Sequence, residues 1–382
     1  MPKRARIFTL PLFKFCMKEE IFMSYTLCEK VRNLEPYEPI SGTYRIRLDA
    51  NESFYNMPDE IKDEIKDIID KINFNRYPDP TAEKVIKAFS EYYGLNPEIV
   101  TATNGSDEML YILSSAMLQK NSKVLIIEPD FSMYHFYSSL SENNVTVLRK
   151  SDTLKIDVDE VIEAANKINA NMVIFSNPCN PTGQGVAADD VHRLVTSVNA
   201  LVVLDEAYMD FWNQSLLNET EQYDNLIVLK TSSKAVGSAA IRLAFAVANK
   251  TLTKALKAVK SPYNVNTLTQ EIGCCIFSHK KMLQDRCNTI VKNTKELYNM
   301  LNKLKKRYYL PFEIYEPCAN FVFIKSEIAY SLWKYLLDNG IAIRYFKNLD
   351  ALRITAGSTE ETDELMKYIE KYTLEEYISE NR

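Results

Sequence analysis

Between about residues 100 and 250 the chain alternates two hydrophobic periodicities. Short, continuous apolar runs read as strands: Lys123–Ile127, Val145–Leu148, Met172–Phe175, Leu201–Leu204, Leu226–Leu229 and Leu243–Val247. Between them, Met109, Leu110, Ile112, Leu113, Ala116 and Met117 recur at helical spacing, as do Val158, Val161, Ile162 and Ala165. Strands that are apolar along their whole length are buried on both faces. The pattern therefore predicts an α/β fold with a mostly parallel sheet covered by helices. After about residue 265 the pattern changes. Long helical segments lead to a strand at Phe321–Ile324. A helix carrying Ala329, Leu332, Trp333, Leu336 and Leu337 follows, then strands at Ile341–Arg344 and Leu352–Thr355, and a last helix from about Thr359 to Tyr372. This predicts a smaller α+β domain. The expected layout is an N-terminal arm over 1–45, a large domain over 46–265 and a small domain over 266–382.

Length and composition fit that reading. The chain has 382 residues, enough for two domains, with 46% hydrophobic and 25% charged residues. Net charge is −5 and no basic stripe appears, so nucleic acid is not an expected partner. No apolar run approaches the roughly 20 residues of a membrane span. Seven cysteines without a C-x-x-C pair point to a reduced, cytoplasmic protein. Pro2 to Cys16 is basic, then apolar, and loosely resembles a signal peptide. Lys14 interrupts it, no A-x-A site follows, and Met17 and Met23 offer alternative starts, so an untranslated or disordered extension is expected instead. Glycine is scarce, 9 residues where average usage of about 7% would give about 27. Gly105, Gly183, Gly185, Gly237 and Gly357 all fall in the polar segments considered next.

In open parallel sheets, ligands bind beyond the carboxyl ends of the strands. Asp205-Glu206-Ala207-Tyr208 follows one predicted strand, Ser176-Asn177-Pro178-Cys179-Asn180-Pro181-Thr182-Gly183 a second, and Thr231-Ser232-Ser233-Lys234 a third. Asn104-Gly105-Ser106-Asp107-Glu108 opens the first helix. These are the group types that pyridoxal 5'-phosphate requires. A lysine amine condenses with its aldehyde. A carboxylate pairs with its ring nitrogen, donors meet its phenolic oxygen, a helix N-terminus takes its phosphate, and an aromatic ring stacks on its face. Lys234, Asp205, Asn180 with Tyr208, Gly105-Ser106-Asp107, and Phe131 supply all five. Each alone has an ordinary structural reading: a solvated lysine, a strand end, a turn, a helix cap, a core ring. Their order and placement together carry the argument.

On these motifs the chain resembles the class I/II aminotransferases of pyridoxal-phosphate fold type I, and within them the branch acting on histidinol phosphate. The resemblance covers about residues 31 to 370. It rests on N-L-E-P-Y (33–37), L-D-A-N-E-S (48–53), R-Y-P-D-P (76–80), N-G-S-D-E (104–108) and N-P-C-N-P-T-G (177–183), followed by D-E-A-Y (205–208), T-S-S-K-A (231–235), P-Y-N-V-N (262–266) and L-R-I-T-A-G (352–357). It implies an aspartate-aminotransferase-like large domain. It also implies that Lys234 carries the cofactor and moves the proton, that Asp205 pairs with the ring nitrogen, and that Asn180 and Tyr208 bind the phenolic oxygen. Gly105, Ser106, Asp107, Thr231, Ser233 and Arg242 would surround the phosphate. Tyr77 would reach it from a second subunit, which makes the expected assembly a homodimer. Tyr37, Asn51, Arg344 and Arg353 would bind substrate. The implied reaction is transamination between histidinol phosphate and 2-oxoglutarate, with another amino-acid aminotransferase or a threonine-phosphate decarboxylase-like lyase as alternatives. No metal is expected. Asn180–Pro181 is expected as a cis peptide. One stretch departs from the family pattern: Val236-Gly237-Ser238-Ala239-Ala240-Ile241 precedes Arg242 where relatives carry an aromatic residue and a Gly-Leu-Ala-Gly-like run.

Overall fold

The structure, a computed structural model, describes residues 25–32, 34 and 40–377. The N-terminal extension and Tyr37 lie outside the described residues. The chain forms two compact units, Met1–Tyr37 and Glu38–Arg382. In the first, a short helix spans Glu29–Arg32.

The second unit is built on two sheets. Its strands are β1 (Ile46–Leu48), β2 (Val100–Asn104), β3 (Lys123–Glu128), β4 (Asn144–Arg149), β5 (Met172–Ser176), β6 (Leu201–Asp205), β7 (Leu226–Thr231), β8 (Leu243–Ala248), β9 (Glu313–Tyr315), β10 (Phe321–Lys325), β11 (Ile341–Phe346) and β12 (Ala351–Thr355). The larger sheet has the order β2-β8-β7-β6-β5-β3-β4. Strands β4, β3, β5, β6 and β7 run parallel, while β8 is antiparallel to both β7 and β2. Successive side chains alternate between its two faces. Leu125, Val173, Val202, Leu204 and Val228 pack with Val161, Leu194 and Phe277 on one face. Val124, Ile126, Ile174, Val203 and Ile227 pack with Met109, Leu113 and Leu256 on the other. Both faces are dry, which explains why these strands read as unbroken apolar runs.

The smaller sheet has the order β1-β11-β12-β10-β9, and its core joins Val322, Ile324, Ile343, Leu352 and Ile354 to Leu297, Leu336, Leu365 and Ile369. Two segments lie elsewhere than the sequence reading placed them. Ile46–Leu48, assigned to the large domain, pairs in parallel with Ile341–Ile343 in the smaller sheet. The helix Thr267–Ser278, assigned to the small domain, buries Ile276 and Phe277 in the core of the larger sheet. No helix among the described residues is long and apolar enough to cross a membrane.

Candidate active site

Strand register gathers the chemistry at one end of the larger sheet. Ser176 of β5 pairs with Asp205 of β6, so the Asn177–Gly183 loop starts beside Asp205. Thr231 ends the neighbouring β7 and pairs with Ala244 of β8, while Asn104 ends β2 opposite Leu243. Gly105, Arg242, the Thr231–Lys234 turn, Asp205 and the Asn180 loop therefore leave the sheet from the same edge. From the other sheet, the segment after β1 reaches Lys234 and Arg353. Nζ of Lys234 donates to the Ala50 carbonyl at 2.9 Å, and Nη2 of Arg353 donates to the Asp49 carbonyl at 2.6 Å.

Asp205 is buried. Its carboxylate accepts from the Tyr134 hydroxyl at 2.8 Å and from the Ala207 N–H at 3.0 Å. No lysine or arginine among the described residues forms an ion pair with it, and burial pushes its pKa up to about 6. A buried carboxylate held by neutral donors alone favours a cation, the chemistry that a protonated ring nitrogen supplies. The sequence reading missed Tyr134. It sits three residues after Phe131 at the start of the helix Met133–Leu140, and the two rings meet edge-on at 5.6 Å. Phe131 itself is half-buried.

Lys234 is half-buried beside the Tyr208 ring, with Nζ 5.8 Å from its centroid. Desolvation first, then the Arg353 charge, push the Lys234 amine down to about 8. The Tyr208 hydroxyl accepts from Nδ2 of Asn51 at 2.9 Å, and burial raises its pKa. Asn51 is a hub. Its N–H donates to the Thr355 hydroxyl at 3.0 Å, which donates back to its Oδ1 at 3.1 Å, and its carbonyl accepts from Asn320 at 3.2 Å. In this protein Asn51 positions Tyr208, beyond the substrate-binding role expected of it. Buried Arg353 donates to Oδ1 of Asn180. The Asn180 N–H donates to the Ser176 hydroxyl at 3.0 Å, and Ser176 donates to Asp130. The Asn180–Pro181 peptide is cis, as are Asn177–Pro178 and Glu128–Pro129.

The anion-binding features cluster at the helix Gly105–Ser115, whose first turn presents N–H groups at Ser106 and Asp107. A Cβ on Gly105, which has φ +76°, would stand 2.6 Å from Nη2 of Arg242. Only glycine lets that guanidinium close over the helix end. Nη2 also lies 3.6 Å from the Asp107 carboxylate, which burial holds above its usual range. Ser233 donates its N–H to the Thr231 hydroxyl at 3.2 Å. The departure before Arg242 is accommodated by Gly237 at φ +68° and a single turn at Ala239–Ile241, which leave Arg242 at φ +51°. The helix N-terminus with the Arg242 guanidinium over it, and the Thr231 and Ser233 hydroxyls leaving the same edge of the sheet, are the groups that could hold a phosphate. The donor, acceptor and cationic groups gathered here are of the types pyridoxal phosphate requires, and they fit that group.

Register pairs Arg344 of β11 with Arg353 of β12. Tyr77 stands apart from this cluster within its own chain: it is 81% exposed and stacks on Tyr263 at 4.6 Å.

The fold and the site define a chain that belongs to the class I and II aminotransferases, and the model of that family matches residues 44–369. The chain is 40% identical over 342 residues to the histidinol-phosphate aminotransferase of Clostridium novyi, covering 89% of this chain and 95% of that relative. It is 37% identical to the enzyme of the same name from Clostridium kluyveri, covering 90% and 97%. The crystal structure of histidinol-phosphate aminotransferase from Sinorhizobium meliloti, in complex with pyridoxal-5'-phosphate, superposes with a TM-score of 0.79 at 18% identity, covering 87% of this chain and 92% of that one.

The Tyr134–Asp205 bond yields a direct prediction. Tyr134→Phe removes a donor to the charged form of Asp205, a bond worth about 1.5–3 kcal/mol. Cofactor affinity, measured by titrating cofactor-free protein, is expected to fall about tenfold or more. Unchanged affinity would mean that Tyr134 only fills space.

Proposed function

We propose that this chain transfers the amino group of histidinol phosphate to 2-oxoglutarate, with pyridoxal phosphate held on Lys234. When bound, the cofactor supplies an aldehyde that accepts and releases an amino group and a ring that accepts electrons. The protein's own groups do the rest. With its amine near pKa 8, Lys234 can take a proton from substrate carbon and return it at neutral pH. Asp205 would pair with the ring nitrogen and favour its protonated form. Tyr208 and Asn180 would hold the phenolic oxygen, and Phe131 would supply a ring face for the cofactor. Gly105, Ser106, Asp107, Thr231, Ser233 and Arg242 would hold the phosphate.

The observation that carries the substrate reading is the Arg344–Arg353 cross-strand pair. Like charges directly opposite each other cost stability, and an anion between them reverses that cost. Glutamate presents a carboxylate and histidinol phosphate a phosphate, and a guanidinium can bind either in bidentate fashion. The names of the relatives agree with this choice. Losing one charged hydrogen-bond partner costs about 1.5–3 kcal/mol, so Arg353→Ala is expected to slow both half-reactions at least about tenfold. Arg344→Ala should harm the phosphate substrate more than glutamate. Paired stopped-flow half-reactions on the two variants measure this. If Arg353→Ala reacts with both substrates at wild-type rates, the shared receptor is wrong.

The proposed working form is a cytoplasmic homodimer. An exposed tyrosine pair, Tyr77 with Tyr263, in a proline-bounded loop suits a second copy of the chain, whose cofactor phosphate Tyr77 would reach. We retain 46–265 and 266–382 as the proposed domain limits, apart from the two exchanged segments described above. Sedimentation at assay concentration should give a dimer. A fully active monomer would remove Tyr77 from the site.

A further inference from the structure

The helix Asp59–Asp70 packs beside the helix Thr267–Ser278. Glu64 on the first meets Cys275 and His279 at the end of the second. Oε2 of Glu64 accepts from the Cys275 thiol at 3.3 Å and lies 3.1 Å from Nε2 of His279. One ligand atom from each residue falls within 4.8 Å of both others. None of the three belongs to the groups assigned to cofactor or substrate. We propose that Glu64, Cys275 and His279 form a zinc-binding site that clips these two helices together, with water as the fourth ligand.

Geometry and chemistry both support this. Zinc holds thiolate sulfur at about 2.3 Å and imidazole nitrogen or carboxylate oxygen at about 2.0–2.2 Å, which in a tetrahedron sets the ligand atoms roughly 3.3–3.6 Å apart. The oxygen–sulfur and oxygen–nitrogen separations already lie close to those edges. His279 caps the helix four residues after Cys275, and both side chains reach the same Glu64 oxygen. A thiol and an imidazole select zinc over calcium or magnesium, which take oxygen ligands. Cys275 is buried, while the side chains of His279 and Glu64 are 30% and 50% exposed. The ion therefore has an entry path and room for a water. On binding, the Cys275 S–H bond breaks, its proton passes to solvent and an S–Zn bond forms. His279 contributes the Nε2 lone pair and keeps its ring proton on Nδ1. The bland alternative is a carboxylate that merely accepts from a thiol and an imidazole, and it gives no zinc affinity.

The test uses the full-length, cofactor-loaded protein equilibrated with zinc chloride, with metal content by mass spectrometry and the zinc environment by X-ray absorption. The expected result is a bound zinc with one sulfur and the rest nitrogen or oxygen neighbours. Zinc should raise the melting temperature of the wild type by linkage. Cys275→Ser and His279→Ala should each weaken binding at least about tenfold, whereas Cys28→Ser, at an exposed thiol of the first unit, should not. The proposal is overturned if no zinc is retained, if Cys275→Ser binds as the wild type does, or if the bound zinc has no sulfur neighbour. The absorption measurement needs only the wild type, so it decides the matter even if a variant fails to fold.

Discussion

Lys234→Ala is expected to fold normally and to lose transamination by at least about 10³-fold, since it removes both the covalent anchor and the proton-moving amine. Folding should survive because the side chain is half-buried and, among the described residues, its one hydrogen bond is that donated to the Ala50 carbonyl. Borohydride reduction of the loaded wild type followed by peptide mapping should label Lys234. Label on another lysine contradicts the assignment. The depressed amine adds a second readout. An unperturbed lysine loses its proton near pH 10.4, whereas Lys234 does so near pH 8. The rate at which cofactor-free protein captures pyridoxal phosphate should therefore rise with a midpoint near pH 8.

Asp205→Asn should still bind the cofactor but turn over on the order of 10²–10³-fold more slowly, the scale of losing one preorganised electrostatic partner of the reacting system. Asparagine can still accept from the Ala207 N–H through Oδ1 and donate Nδ2–H to the rotatable Tyr134 hydroxyl, so the pocket is kept while the charge facing the ring nitrogen is lost. Stability moves the opposite way. The folded-state pKa of Asp205 is raised from 3.8 to about 6. Its contribution to stability is full below the unfolded value and is lost as pH rises through about 6. At pH 8 the cofactor-free wild type carries a buried carboxylate without a cation. Cofactor-free Asp205→Asn should then melt above the wild type at pH 8, with the gap closing toward pH 5. Near-normal turnover by Asp205→Asn would rule out its role, and an unchanged melting order would rule out the burial argument.

The larger sheet was legible because each strand is apolar on both faces. Runs such as Met172–Phe175 and Leu226–Leu229 fall inside β5 and β7. Val100–Asn104 does not read as a strand. Its alternation of Val100 and Ala102 with Thr101 and Thr103 hides a strand whose threonines are buried all the same. β1 spans three residues and pairs with a partner almost 300 positions away, so nothing local reveals its sheet. The helix Thr267–Ser278 follows the apparent change of pattern yet packs backward, which periodicity cannot register. In the site, the polar groups at strand ends stood out in sequence, and strand register brings those of β2, β5, β6, β7 and β8 to one edge. Tyr134 did not stand out, because an aromatic at the start of a helix reads as core. The spacing from Phe131 was the available signal. Asn51 lies in a legible motif, but its bond to Tyr208 depends on a turn at φ +55° that no motif discloses.

The most direct test of the account is a product measurement on purified, cofactor-loaded protein given histidinol phosphate and 2-oxoglutarate. The predicted result is glutamate formed in equal amount to the imidazole keto phosphate, without CO2 release, and faster than with any other amino donor in a panel of aromatic and acidic amino acids. Release of CO2 from an amino-acid phosphate, or faster transfer from a donor without a phosphate, would contradict it.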